Sequence, residues 1–500
     1  MSNIKKIESL SHFDMACPID SRYYGADPRF FERLKPYVSE RAYIVYQARV
    51  ESALAKVIAA NVQGVPRGLA EETENACQKL TPEEVYAEEK RIGHDVRALV
   101  NCIRAKVSEE VRPFIHLFAT SNDIKDTATA LRFKELTTDI LIPDLLELEE
   151  TLIKTARENA ETFQIGRTHG KHAEPITFGY AIANYVARLG DRIEFIEEAR
   201  KKLRGKFSGA VGSYNAMSLF IEDPTLLETV FLKELGLMPR DREPDSIAST
   251  QIVHPEPLTD LVHGIVSAFS VLANLADDIR NLHRSEIAEV QEVYEEQHVG
   301  SSTMPHKLNP RNFEFVKSMW KEFMPRMVTV YMDQISEHQR DLTNSASSRF
   351  VTELFAAFIY SVNRMNSSVK RLGVFPDVMK RNLENTQYDE ILAEPLYILL
   401  SSKGHPDGHG FARKLIAKAR KEKIPLTKLI WEDKEVGHYL QDLSDKQRAV
   451  LQDPHNYVGL SPEKTERVCE AWEIRLEAVR TTMKISAEID PRTRESRRIV

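Results

Sequence analysis

Residues 300 to 310 read GSSTMPHKLNP and gather two adjacent serines, a histidine, a lysine and an asparagine between a glycine and a second proline. Gly300, Pro305 and Pro310 disfavour a helix, so the stretch should be a loop between two strongly helical segments. Hydroxyls beside one fixed cation and an amide suit an anionic substrate that has to lose a proton. The plain alternative is a polar surface loop, which describes most segments of this kind.

Other polar clusters interrupt the helical background. IGRTHGKHAEPITFG (165–179) holds His169 and His172 in a turn before a helix, and TSNDIKDTA (120–128) offers hydroxyls at a helix start, where free backbone N–H groups favour an anion. GHDV (93–96) sets a histidine beside an aspartate, RDLTNSASSR (340–349) has the make-up of a phosphate or carboxylate clamp, and SRYYG (21–25) adds an arginine and a tyrosine in a loop. Taken singly, each is more often a cap, a turn or a solvated ion pair. GHPDGHG (404–410) tempts a metal reading, but its glycines and proline break the helix that would align His405 with His409, and it reads as a surface turn. GAVGSYNA (209–216) lacks a phosphate-loop or dinucleotide fingerprint.

These clusters need a scaffold, and its pattern is helical. Leu141, Leu145, Leu148, Leu152 and Ala156 form one apolar stripe, and Ile182, Val186, Leu189, Ile193 and Ile196 form another. Leu258, Leu261, Ile265, Phe269, Leu272, Leu275, Ile279 and Leu282 make a third, and a fourth runs Phe350, Leu354, Phe358, Val362, Met365, Val369 and Leu372. Long helices with repeated seams predict an all-α bundle, and apolar residues off the main seam predict helices contributed by other subunits. Breaks in the pattern predict an N-terminal helical domain (1–118), a central long-helix domain (119–372) and a small C-terminal helical domain (373–500).

Composition limits the function classes. The 500 residues carry a formal charge of −7, which argues against nucleic acid or an anionic membrane as the main partner. Four scattered cysteines without CxxC spacing argue against a zinc site and for a reducing compartment. The first twenty residues hold no apolar core of signal-peptide length, and the apolar run at 264–276 is too short to span a bilayer. The expectation is a soluble, cytoplasmic protein.

In their order and spacing the clusters resemble the fumarase/aspartase superfamily, whose signature loop reads GSSxMPxKxNP, and within it the adenylosuccinate lyases. The likeness runs from about residue 18 to the C-terminus and rests also on KFSGAVGSYNA, STQI (249–252) and VFPDVMKRNL (374–383). It implies a three-domain, all-α, fumarase/aspartase-like subunit whose central bundle forms a homotetramer with active sites shared between chains. The implied reaction is elimination of fumarate from adenylosuccinate, giving AMP, and from the succinyl-carboxamide ribotide of purine biosynthesis. No metal or organic cofactor is expected.

By that resemblance Ser301 is the general base and His169 the general acid. Lys307 supplies positive field, and Glu314 holds the histidine. Such an elimination removes a weakly acidic C–H proton, and the resulting carbanion needs cations and hydrogen-bond donors at the adjacent carboxylate. A serine serves as base only where a cationic, water-poor site deprotonates it. Thr120, Ser121, Gln251, Ser302 and Asn309 would bind the fumaryl portion; Arg22, Tyr23, Arg340, Ser345 and Arg349 would surround the phosphate; His94, Asp95 and Thr168 would complete the pocket. Two positions depart from the pattern: Gly93 stands where relatives carry Lys or Arg, and Phe315 where they carry a polar residue. The alternatives are another fumarate-releasing lyase, argininosuccinate lyase-like or aspartase-like, or a non-catalytic structural relative.

Overall fold

The computed structural model describes residues 15–238, 248–293, 303–304, 306–385 and 387–489. The apolar stripes become its central helices. Ile142–Glu158 packs on Phe178–Lys201, which packs on Glu256–Leu282, then Arg311–Phe323, then Val351–Val369, and the last returns to the first. Five helices thus close into a ring, and each stripe turns inward because burying it removes apolar surface from water. Leu145, Leu148, Leu152, Val186, Leu189, Ile193, Ile265, Phe269, Leu354, Phe358 and Val362 are all buried. Leu258, Leu282 and Leu372 at the stripe ends are half-buried, and Phe350, which precedes the helix proper, stands 51% exposed. The Glu256–Leu282 helix is long and apolar enough for a membrane span, yet 67% of its apolar window is buried inside the molecule, as a bundle's central helix requires.

The N-terminal region is bound into the same core. Glu40–Asn61 lies along Ser121–Leu136. Arg49 there donates twice to Glu135 at 2.9 and 2.8 Å, and the Tyr46 hydroxyl donates to the same carboxylate at 2.5 Å. A second, separate core runs from Leu392 to Leu451. Beyond it the chain returns, and helix Ser461–Ile489 lies on the bundle with Cys469, Trp472, Leu476 and Val479 in the main core. Its approach depends on Gly190, where any Cβ would overlap the Trp472 indole.

Two short antiparallel pairs interrupt the helices. Phe163–Thr168 pairs with Lys171–Thr177, and Val290–Glu292 pairs with Leu372–Val374. Two segments differ from their sequence reading. SRYYG lies not in a loop but mostly in a wide helical turn, Ile19–Tyr24. GHPDGHG is not a surface turn throughout: Asp407 caps a helix that begins at Gly408, and His405 packs between the Phe411 and Tyr439 rings. The proline ends before the helix starts, and a capped N-terminus tolerates the glycines. Among the described residues no cluster of His, Cys, Asp or Glu could hold a metal ion.

Candidate active site

The site is organised by the N-terminus of helix Ser121–Leu136. Thr120 and Asp123 form a capping box, with the Asp123 carboxylate accepting the Thr120 N–H at 2.7 Å. That carboxylate, 0% exposed, also accepts N–H groups from Ser208 at 3.1 Å and Gly209 at 3.2 Å, and the ammonium of buried Lys206. KFSGAVG therefore wraps the helix start. Its Ser208 hydroxyl meets the Ser249 hydroxyl at 2.7 Å, which brings in the STQI segment.

At the same helix start Asn122 donates to Gln251 at 3.4 Å, and one turn along Asp126 accepts the Val253 N–H at 2.9 Å. Burial pushes the Asp126 carboxyl up to about 6, against the pull of that N–H and of Lys206, Arg340 and Lys125. The Gln251 N–H donates to the Gln339 carbonyl at 3.3 Å, next to Arg340. Thr120, Ser121, Gln251 and the 340–349 segment are thus joined by one hydrogen-bonded lattice.

The 93–95 corner attaches on another side. Gly93 ends helix Pro82–Ile92 at φ +73°, and His94 caps helix Asp95–Arg104 by accepting the Arg97 N–H at 3.3 Å. A left-handed position between two helices suits glycine, which accounts for the departure from Lys or Arg. Asp95 bonds Lys125 at 2.7 Å; burial works against the carboxylate, but the ammonium outweighs it and the pKa falls below the usual range. Phe315, the other departure, packs edge-on against Tyr23 at 5.2 Å and lies under the Arg364 guanidinium at 4.3 Å.

A cavity of about 590 Å³ opens beside these elements, lined among others by Tyr43, Asn122, Lys125, Asp126, Arg132, Arg340, Ser345 and Arg349. Its lysine, arginines and hydroxyls could hold an anionic ligand.

The residues expected to move protons lie elsewhere on the chain. His169 and Gly170, both with positive φ (53° and 74°), form the two-residue turn of the 163–177 hairpin, with Thr168 beside them, and Thr168 and His169 are exposed. The hairpin is held at its base by buried Glu289, which accepts from Arg167 at 2.6 Å, Gln164 at 2.8 Å and Asn382 at 3.0 Å. Burial and the neighbouring Arg167 hold the His172 imidazole below its usual range. Lys307 and Glu314 are exposed and Asn309 half-buried, with His283 meeting the Leu308 carbonyl at 2.9 Å. The side chains of His169 and Glu314 make no hydrogen bond or ion pair within the chain among the described residues. Arg22 is exposed, and Tyr23 packs on Phe315 and Tyr360. Ser301 and Ser302 lie outside the described residues.

Sequence reasoning missed His116. It sits at φ +66° just before Thr120, with Nδ1 2.6 Å from Oε1 of buried Glu51. Burial disfavours its charged form, yet Glu51 outweighs that and raises the pKa. Its place four residues before the hydroxyl pair was the available signal; its partner, 65 residues earlier, was not.

Residues 21–324 match the family described as Lyase, and residues 336–458 match that described as adenylosuccinate lyase C-terminal. The adenylosuccinate lyase of Pyrococcus abyssi is 34% identical over 461 residues, covering 90% of this chain and 96% of that protein. That of Pyrococcus horikoshii is 34% identical over 463 residues, covering 91% and 97%. The chain belongs to the adenylosuccinate lyase family. It is a lyase by that membership. Solved structures share its fold at low identity: the 3-carboxy-cis,cis-muconate lactonizing enzyme from Pseudomonas putida (TM-score 0.76, 23% identity, 89% of this chain and 97% of that one) and a fumarate lyase from Mesorhizobium sp. BNC1 (0.75, 23%, 88% and 97%).

Proposed function

We propose that the chain releases fumarate from adenylosuccinate, giving AMP, and from the succinyl-carboxamide ribotide of purine biosynthesis. The observation that carries this reading is a likeness to adenylosuccinate lyases over nearly their whole length, at 34% identity and 96% coverage of one of them. The cavity supports it: Arg340, Ser345 and Arg349 line the same space as helix residues Asn122 and Lys125, and those cations suit an anionic ligand. Ser301 takes the C–H proton, Lys307 stabilises its alkoxide, and His169 protonates the departing nitrogen while Glu314 keeps the imidazole charged. Thr120, Ser121, Gln251, Ser302 and Asn309 hold the succinyl carboxylates; Arg22, Tyr23, Arg340, Ser345 and Arg349 hold the phosphate, with His94, Asp95 and Thr168 between. Acid–base chemistry of this kind needs no metal or organic cofactor.

A homotetramer with shared sites fits the lack of any His169–Glu314 side-chain contact among the described residues. It also fits an exposed apolar face at Val328 (61%), Met332 (66%), Ile335 (75%) and Leu342 (76%), which a monomer would leave wet. The free cysteines suit a reducing cytoplasm. Purified protein incubated with adenylosuccinate should lose the substrate's ultraviolet absorbance in step with fumarate release. Release of fumarate from argininosuccinate or aspartate instead would assign another lyase activity, and no turnover of any would leave a structural relative.

A further inference from the structure

Arg132 lies about three turns along the Ser121–Leu136 helix, at 3.6 residues per turn, and is only 7% exposed. Among the described residues its side chain makes one hydrogen bond, from Nη2 to Thr352 Oγ1 at 3.4 Å, and its Nε has no partner. No carboxylate pairs with it among the described residues. Glu40 acts on it through space only, its carboxylate being bonded to the Tyr86 hydroxyl. The contacts it does make are to the Tyr43 ring at 5.5 Å and the Phe133 ring at 4.9 Å. A buried guanidinium without a counter-ion is strongly disfavoured, and burial holds its pKa below the ordinary arginine value.

The surroundings point to what would satisfy it. Arg132 lines the 590 Å³ cavity together with Lys125, two turns back on the same helix face, and with Tyr43 and Arg349. Burial raises the Tyr43 phenol's pKa, and Asp95 adds to that, while the nearby cations Lys125, Arg132 and Arg349 pull it down. The hydroxyl makes no hydrogen bond among the described residues. The acidic residues lining the same cavity are largely engaged: Asp126 by the Val253 N–H, Asp333 by the Ser347 hydroxyl at 2.6 Å, and Glu353 by Arg326 at 3.1 Å. Asp20 also lines it, its pKa raised by burial. Asp95 balances Lys125, which leaves the charges of Arg132 and Arg349 without an ion-paired carboxylate.

We infer that Tyr43, Lys125 and Arg132, with Arg349 at the rim, form a binding subsite for a phosphate-type dianion. Two guanidinium groups without an ion-paired carboxylate among the described residues suit a phosphate-type anion, planar guanidinium groups bind phosphate oxygens in pairs, and the phenol adds a donor. The dianion comes either from the phosphate of the proposed nucleotide substrate or from free inorganic phosphate; only that choice of source rests on the proposed function.

The test is thermal unfolding of the full-length protein titrated with inorganic phosphate. Phosphate should raise the wild-type midpoint. Arg132→Met, which removes the uncompensated charge and keeps the bulk, should unfold at a higher temperature without phosphate yet need at least about tenfold more phosphate for the same shift, the scale of a charge-assisted hydrogen bond. Tyr43→Phe, which keeps the packing, should weaken the phosphate response about threefold to tenfold. An Arg132→Met protein that is less stable without phosphate and responds to it as wild type does would make the arginine purely structural and overturn the inference; so would a wild type that phosphate leaves unmoved. Steady-state assays with adenylosuccinate then separate the sources. If the substrate's phosphate occupies the subsite, Arg132→Met raises KM more than it lowers kcat; if a free anion does, the variant loses inhibition by added phosphate. A chain inactive on adenylosuccinate would sink the proposed function while leaving the phosphate titration to decide the subsite.

Discussion

Replacing Asp123 with asparagine should loosen the site's floor more than replacing Lys206 with methionine. Both residues are buried, at 0% and 2% exposed. Losing one partner of a buried ion pair costs about 3–5 kcal/mol, but the two losses leave different remainders. Without Lys206, the Asp123 carboxylate keeps three backbone donors, from Thr120, Ser208 and Gly209 at 2.7, 3.1 and 3.2 Å. Amide donors in that number stabilise an anion away from water. Without the Asp123 charge, the Lys206 ammonium keeps the Gly209 carbonyl at 3.2 Å and at best a neutral amide oxygen, and the asparagine NH₂ turns its hydrogens toward amides that had an acceptor. The asparagine variant therefore belongs near 5 kcal/mol and the methionine variant near 3, with ~2 kcal/mol between them. That gap is roughly thirtyfold in a local opening equilibrium, at about 1.4 kcal/mol per tenfold. Because the chain encloses two separate cores, one global midpoint would blur the effect. Hydrogen exchange in peptides spanning 117–125 and 203–212 reads the opening directly. Exchange at least as fast in Lys206→Met as in Asp123→Asn would refute the reasoning, because the amides would then not be carrying the charge.

Ser301→Ala and His169→Ala should each slow fumarate release by at least about a hundredfold, and mixing the two inactive proteins under conditions where subunits exchange should restore part of the rate; hybrid oligomers without activity would argue against shared sites. Glu149 is fully buried with both carboxylate oxygens unpartnered among the described residues, and burial first, then Asp191, raises its pKa well above the carboxylate value of 4.5. The native state thus keeps a proton that the unfolded chain gives up, so stability falls as pH climbs from 4.5 toward the raised value; Glu149→Gln should flatten the thermal midpoint between pH 5 and pH 8 and lie above wild type at the upper end. Gly190→Ala places a methyl in the Trp472 indole and should cost about 1–3 kcal/mol, seen as faster proteolysis of the C-terminal helix with the 392–451 core untouched.

What could be read in the sequence was what depends on neighbours three or four residues apart. The stripes through Leu145 and Val186 foretold buried faces because a helix repeats every 3.6 residues, and TSND foretold a helix start because its cap is closed within four residues. The 163–177 hairpin escaped that logic. Its strands are short and carry Arg167, Lys171 and His172, and the group that holds it, Glu289, lies 122 residues beyond Arg167. The pairings His116–Glu51 and Lys206–Asp123 are likewise separated by 65 and 83 residues, so no local pattern announces them. Arg132 was hidden differently. In the run TATALRF it reads as the polar side of an amphipathic helix, and only the closure of Tyr43 and Thr352 over it turns a surface cation into a buried one.

The same distinction orders the site. The groups gathered by the chain on itself (Thr120, Gln251, Arg340, Ser345, Lys125) share one helix start and the loops bonded to it, so folding alone aligns them. The groups proposed to move protons are carried outward instead: His169 on the tip of a hairpin, Glu314 on the first turn of an exposed helix face, Lys307 on the loop before it. A hairpin tip fixed by two left-handed residues and braced at its base by a buried carboxylate is rigid, so closing a gap to Glu314 by bending it would break the Glu289 bonds to Arg167 and Gln164. Docking a second copy against the apolar face around Val328 and Met332 leaves those bonds intact and buries surface that water now wets. Assembly is therefore the cheaper route to a complete site, and the proposed chemistry should fail in any variant that folds but stays monomeric.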